Sequence, residues 1–100
     1  MKKLFLSIKV NITEDFIFKL NNQVNYIAAD KPIAARKFKR NLIKKLKKDL
    51  KQPFLFKKSR YYNYENVRDY VFKGNIAVYY FNKAGNSVSV FGFTKHKYSL

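Results

Sequence analysis

The 100-residue chain contains no cysteine, one histidine, three glycines and six acidic residues. Without cysteine it forms neither disulfides nor thiolate nucleophiles, and most structural zinc sites are excluded. One histidine and six dispersed carboxylates do not make a convincing metal site, so we expect neither a metal nor a cofactor. The glycines form no phosphate-binding loop, and no Gly-Xaa-Ser-Xaa-Gly stretch presents a serine nucleophile. These absences argue against a cofactor-dependent enzyme.

The chain also lacks a long hydrophobic run. Residues 1–8 begin like a secretory signal, but Lys9 and Asn11 interrupt the apolar run before it reaches the length of a signal-peptide core. We therefore interpret this segment as a strand. No stretch approaches the roughly 20 apolar residues that cross a bilayer, so we expect no membrane partner and a cytoplasmic location, which also suits a chain without cysteine.

The composition indicates a folded and strongly basic protein. Hydrophobic residues make up 47% of the chain and aromatic residues 18%, far more than disordered chains contain. A chain of this length supports one modest core, so we expect a single domain spanning residues 1–100. Lysines and arginines number 22 against six acids, a net charge of +16, which predicts a polyanion or an acidic protein as partner.

The first half of the chain predicts a strand followed by two helices. Apolar residues alternate with others over residues 4–12, a period of two that indicates a strand with one buried face. Thr13 is the expected N-cap of a first helix that ends near Asp30. Pro32 suits the first turn of a second helix, which runs to about Lys51. We expect the two helices to form an antiparallel hairpin.

The second half predicts a loop and three strands. Residues 54–66 show no clean period and are interpreted as a loop. Strands are predicted at 67–72, 76–82 and 87–93, separated by glycine- and asparagine-containing turns. The order strand, helix, helix and three-stranded meander belongs to the α+β class. We expect one central antiparallel sheet with the helix hairpin packed on one face.

The second predicted helix concentrates positive charge. Outside its apolar stripe nine side chains are lysine or arginine, and Asp49 is the one acid. Such a run is usually a solvated face, although solvated faces normally mix both signs, and a basic helix lying on a membrane is a further alternative. We interpret it as a footprint for RNA, DNA or an acidic partner. The candidate binding residues are Arg36, Lys37, Arg40, Lys44, Lys47, Lys48 and, in the following loop, Arg60.

Two further features are compatible with function. Arg60 stands beside the tyrosine-rich segment 61–64, whose rings are able either to stack on bases or simply to pack at the edge of the core. The one histidine, His96, lies between Lys95 and Lys97 near the end of the chain, and these cations favour a neutral imidazole near pH 7. A general-base role and a plain surface role are both open to it.

Four segments resemble the RelE/ParE superfamily of type II toxin–antitoxin toxins. Residues 34–38 resemble the Ala-Ala-containing start of that family's second helix, and Pro53 resembles the proline that follows it. Residues 68–80 resemble its Arg, strand, Gly, strand pattern, and residues 88–96 resemble its last strand with the terminal histidine. The resemblance implies the α+β fold described above. It also implies a growth-inhibiting toxin that is neutralised by a cognate antitoxin.

The resemblance implies one of two targets. RelE-like members are metal-independent endoribonucleases that cleave mRNA on the ribosome, and a RelE-like reading implies a catalytic set of Arg68, His96, Tyr98 and Lys95. These members typically carry an arginine early in the penultimate strand, where this chain has Ile76. ParE-like members inhibit DNA gyrase, and residues 74–80 look more like theirs. The high positive charge points the other way, because a ribosomal site is walled by RNA phosphate. The ParE-like assignment therefore leads only by a narrow margin. A non-toxic basic RNA-binding domain is the third hypothesis.

Overall fold

The helices and strands follow the predicted order. The computed structural model describes residues 8–95. Its elements are β1 (Lys9–Ile12), α1 (Glu14–Ala28), α2 (Pro32–Asp49), a short 3-10 turn (Pro53–Leu55), β2 (Val67–Phe72), β3 (Asn75–Asn82) and β4 (Ser87–Lys95). The predicted α+β class, with a helix hairpin between an N-terminal strand and three further strands, is confirmed.

Thr13 fixes the start of α1, as predicted. Its Oγ1 accepts a hydrogen bond from the backbone N–H of Phe16 at 3.1 Å and donates one to the carbonyl of Val90 at 2.8 Å. Glu14 and Asp15 occupy the first turn, where carboxylates interact favourably with the helix dipole. The N-cap therefore ties the helix to β4 as well as satisfying one of its free backbone donors.

Helix α2 is held in place by an apolar stripe. Pro32 lies in its first turn, and the stripe residues Ala35, Leu42, Leu46 and Leu50 are all essentially inaccessible to solvent. The helix ends at Asp49, two residues before the predicted end. Because its other faces carry like charges three and four residues apart, which weaken an isolated helix, docking of the stripe is what stabilises it.

The four strands form one mixed sheet in the order β1-β4-β3-β2. β2, β3 and β4 form the predicted antiparallel meander. β1, however, pairs in parallel with β4, with Val10 opposite Val88, so the expectation of an entirely antiparallel sheet was wrong for this strand. A parallel pair needs a long crossover connection, and the helix hairpin supplies it. The predicted strand residues 4–7 lie outside the described part of the chain.

A bulge at Phe91 changes the phase of β4. Val78 pairs with Gly92 and Tyr79 with Val90, so Phe91 is an extra residue. Phe93 consequently joins the core under the helices, edge-on to Phe16 at 5.7 Å between ring centroids, while Phe91 packs on the opposite face. A Cβ at Gly92 would lie 3.1 Å from the Cβ of Val78, so the close approach favours glycine. β4 runs to Lys95, two residues beyond the predicted end.

The segment predicted as a loop, residues 54–66, is partly ordered against the edge of the sheet. After the 3-10 turn, Lys58 forms an isolated antiparallel bridge with Arg68 in β2. The backbone N–H of Ser59 donates to Val67 at 2.8 Å, and that of Asp69 donates to Lys57 at 3.1 Å. The bridge occupies backbone groups that would otherwise be free at the edge strand β2.

The main core lies between the helix hairpin and one face of the sheet, as predicted. Two tyrosines anchor neighbouring segments to it. The hydroxyl of Tyr79, whose side chain is fully buried, donates to the carbonyl of Pro53 at 2.6 Å. The hydroxyl of Tyr70 donates to Oδ2 of Asp49 at 2.5 Å. Burial raises the pKa of both phenols, and for Tyr70 the bond to Asp49 raises it further.

These raised pKa values predict a loss of stability at alkaline pH. Below pH 10 both phenols keep their protons whether the chain is folded or unfolded, so their contribution is fully present. Above pH 10 the two phenols ionise in the unfolded chain but keep their protons in the folded protein. The free energy of unfolding should therefore fall by about 1.4 kcal/mol per pH unit for each tyrosine. Urea unfolding between about pH 9 and pH 11 measures this slope. Tyr79→Phe should show a shallower slope than the wild type, and equal slopes would contradict the assignment to Tyr79.

Candidate functional site

A groove on the protein surface follows the line where α1 and α2 meet, and we call it the α1–α2 groove. Its volume is about 900 Å³. Val24 of α1 and Ile43 of α2 are half-buried, pack against the main core and form the apolar floor. The α1 side carries the amide groups of Asn21 and Asn25. The groove is therefore neither wholly polar nor wholly apolar.

The α2 side of the groove is a row of cations. The lining residues from this helix other than Ile43 are Arg36, Lys39, Arg40, Lys44 and Lys47. Their spacing of three and four residues places them along one face of the helix. From Arg36 to Lys47 the row extends roughly 16 Å, at 1.5 Å per helical residue. Among the described residues that line the groove there is no acidic side chain.

Lys39 joins the two helices across the groove. Its Nζ donates a hydrogen bond to Oδ1 of Asn21 at 2.8 Å. Lys39 was not among the predicted binding residues, because its contact with Asn21 depends on how the two helices pack. This contact links the α2 cation row directly to α1.

The structure divides the seven predicted binding residues into groups. Four of them line the α1–α2 groove: Arg36, Arg40, Lys44 and Lys47. Lys37 and Lys48 are exposed and, at 100° per residue, lie on the outer face of α2 beyond Lys44. Arg60 belongs to a separate depression beside β2. Participation of any of these residues in binding stays a prediction, but only the first four share one surface feature.

Arg68 is bound into the structure through its whole guanidinium group. Nη1 donates to the carbonyls of Phe54 at 3.2 Å and Phe56 at 2.8 Å. Nε donates to the carbonyl of Glu65 at 3.3 Å, and Nη2 pairs with the carboxylate of the same residue at 3.3 Å. Arg68 thus connects the 3-10 turn and the residue that follows it to the residues that precede β2. The side chain is only 19% exposed.

The described members of the predicted catalytic set do not meet. Lys95 pairs with Asn75, which in turn pairs with Phe72. Arg68 therefore lies four residues along the sheet and two strands across it from Lys95, roughly 16 Å away by ordinary strand spacings. His96 and Tyr98 lie outside the described residues. The catalytic assignments stay predictions, and Arg68 and Lys95 are not brought together.

The position where RelE-like members carry an arginine is apolar and buried here. Ile76 is 1% exposed and packs with Val67 and Val78 on the sheet face opposite the helices. Within residues 8–95 no group of three or more potential ligand side chains is placed to hold a metal ion. Over the same range no helix has the length and apolar character needed to span a bilayer.

The fold matches a known class of small toxin–antitoxin proteins. It is similar to a chain in the solved structure of the chromosomal ParDE TA system from P. aeruginosa, with a TM-score of 0.72. The match covers 91% of this chain and 98% of that chain at 14% identity, which shows a shared fold. The family model for the ParE toxin of the type II toxin–antitoxin system, parDE, matches residues 10–98.

The chain therefore belongs to the ParE toxin family, and the predicted membership in the RelE/ParE superfamily is confirmed. A comparison with curated proteins finds no match. The family defines the protein as a type II toxin.

Proposed function

We propose that this protein is a cytoplasmic growth-inhibiting toxin that acts on DNA gyrase and is neutralised by a cognate antitoxin. Membership of the ParE toxin family supports the toxin class. The observation that carries the choice of target is the engagement of Arg68 with the backbone carbonyls of Phe54 and Phe56. A guanidinium that donates to these carbonyls stabilises the fold and does not offer those donors to an RNA phosphate.

An mRNA endonuclease must stabilise the negative charge that accumulates on phosphorus in the transition state. Arg68 donates through Nε, Nη1 and Nη2 to protein acceptors, and Ile76 brings no charge at the position where RelE-like members have an arginine. Lys95 stands roughly 16 Å from Arg68 by strand spacing. These features argue against nuclease chemistry and favour inhibition by binding.

The second candidate is a ribosome-dependent mRNA endonuclease. The net charge of +16 favours it, because a site walled by RNA phosphate attracts a strongly basic protein. The same charge would serve a non-toxic RNA-binding domain, the third candidate. These two candidates and the gyrase proposal predict different effects of the protein on supercoiling by purified gyrase and on the cleavage of mRNA.

The test uses purified gyrase and relaxed plasmid. We expect the protein to block supercoiling, and we expect no cleavage of mRNA in a reconstituted translation reaction. Because a strongly basic protein also coats DNA, the control is topoisomerase I acting on supercoiled plasmid at the same protein concentration, which should be unaffected. Codon-dependent cuts in mRNA with normal supercoiling would assign the nuclease function instead. Activity in neither assay and no growth arrest would leave the RNA-binding candidate.

A further inference from the structure

We propose that the outward face of α1 binds a second copy of this chain, so that the free protein forms a weak, symmetric dimer. We call this surface the α1 ridge, and it consists of Phe18, Asn22 and Tyr26. Self-association goes beyond the proposed function and does not depend on what the toxin inhibits. The exposed rings of the ridge, its low charge and its symmetry each point to a second copy.

The α1 ridge exposes two aromatic side chains to solvent. Phe18 is 68% exposed and Tyr26 is 76% exposed, whereas the other side of the same helix buries Phe16 and Leu20. The three ridge residues follow one another at every fourth position, so they lie in one row along the helix. At roughly 200 Å² for a whole ring, the row offers roughly 300 Å² of aromatic surface. Apolar patches of that size on soluble proteins are often binding sites.

The charge near the ridge favours a second copy over a polyanion. In α1, Lys19 is the only cation and two acids accompany it, Glu14 and Asp15, whereas α2 carries eight cations. A nucleic acid or an acidic protein is attracted to α2 and gains little at the ridge. Two copies with a net charge of +16 each repel one another, and α1 is the helix on which they approach with less repulsion.

The ridge is complementary to itself in an antiparallel arrangement. A two-fold axis beside Asn22 places Phe18 of each copy against Tyr26 of the other, because residues 18 and 26 are equally far from residue 22. Aromatic pairs of this kind are favourable beyond the area that they bury. The two Asn22 amides, each both a donor and an acceptor, are able to hydrogen-bond across the axis. Such a contact closes after two copies, so we expect dimers and no larger assemblies.

The size of the ridge predicts a reversible dimer. Its rings supply less than half of the roughly 800 Å² per partner that a standard interface buries. We therefore expect a dissociation constant of about 10 to 100 µM. The salt dependence should be opposite to that of a contact between cations and acids, because salt screens the repulsion between two basic copies.

The first test is sedimentation velocity of the purified full chain from about 1 to 500 µM, at about 0.05 and 0.5 M sodium chloride. We expect a dimer that is at least about threefold tighter at the higher salt. Phe18→Gln/Tyr26→Gln should stay monomeric. The matched control is Leu55→Gln/Tyr64→Gln, which removes two side chains outside α1 that are 69% and 67% exposed, and it should dimerise like the wild type. Circular dichroism checks that both variants fold.

Three results of this test would overturn the proposal. One is a wild type that stays monomeric over the whole range of concentration and salt. Another is a dimer that weakens as salt rises, because cations would then be binding acids. The third is a dimer that forms equally well in the ridge variant, or that is lost equally in the control variant.

Because the chain has no cysteine, disulfide linkage tests the arrangement directly. Asn22→Cys places one thiol of each copy at the two-fold axis, whereas Asn41→Cys makes the same change at an exposed position of α2. Lys44 and Lys45 border Asn41 and favour the reactive thiolate there, so slow linkage of this control cannot come from an unreactive thiol. With diamide as the oxidant, we expect Asn22→Cys to form linked dimers at least about tenfold faster. Equal rates would overturn the proposal, whether or not the protein inhibits gyrase.

Discussion

Replacing Arg68 by alanine should destabilise the protein by about 2–4 kcal/mol. The substitution removes the donors for the carbonyls of Phe54, Phe56 and Glu65, and hydrogen bonds from a charged group are worth more than neutral ones. The Phe56 carbonyl is partly buried, so it would lose its partner without gaining full access to water. Urea unfolding followed by circular dichroism measures the change in free energy. Toxicity should fall only in proportion to the unfolded fraction.

Two companion variants sharpen this result. In Arg68→Lys a single ammonium cannot reproduce the fork that spans two segments, so its stability should lie between those of the wild type and Arg68→Ala. Arg60→Ala is the matched control, because it makes the same substitution at an arginine whose side chain is exposed. It should change the free energy of unfolding by less than about 0.5 kcal/mol. If Arg68→Ala retained wild-type stability but lost toxicity, Arg68 would instead contact the target or the substrate.

Arg68 and Tyr79 stabilise the same segment from two strands. The Tyr79 hydroxyl holds the carbonyl of Pro53, while the guanidinium holds those of Phe54 and Phe56. Residues that share a partner segment couple energetically. The arginine that resembled a catalytic group in the sequence is therefore explained by the chain that follows α2, a segment without a recognisable period.

Local signals in the sequence were sufficient for most of the fold. Thr13 and Pro32 mark the helix starts, and the alternation over residues 87–90 marks a strand, because capping and periodicity act between residues that are close in the chain. Two features could not be predicted this way. The parallel pairing of β1 depends on where the helix hairpin returns the chain, and the bulge at Phe91 depends on contacts with β3.

The site was predictable in composition but not in arrangement. The cations of α2 are evident in the sequence, and the apolar stripe fixes which face is buried. Which flank of α2 lies beside α1 is decided only by packing, and that choice separates Lys44 and Lys47 from Lys45. Lys39 was missed for the same reason, since its contact with Asn21 crosses between helices.

Replacing Leu46 by alanine should cost about 2–5 kcal/mol. Leu46 is fully buried in the stripe that docks α2 on the sheet. Because like charges weaken this helix when it stands alone, loss of docking should melt the helix and scatter the cation row of the α1–α2 groove. Helicity by circular dichroism and urea unfolding measure the loss.

A matched control and a change of salt test the physical cause. Leu55→Ala makes the same substitution at a side chain that is 69% exposed, so it should cost less than about 0.5 kcal/mol. Raising sodium chloride from about 0.05 to 0.5 M screens the repulsion within α2, so it should recover part of the helicity lost in Leu46→Ala and add less to the already docked wild type. If salt left the helicity of Leu46→Ala unchanged, repulsion between the α2 cations would not be what opposes the undocked helix, and packing alone would account for the loss.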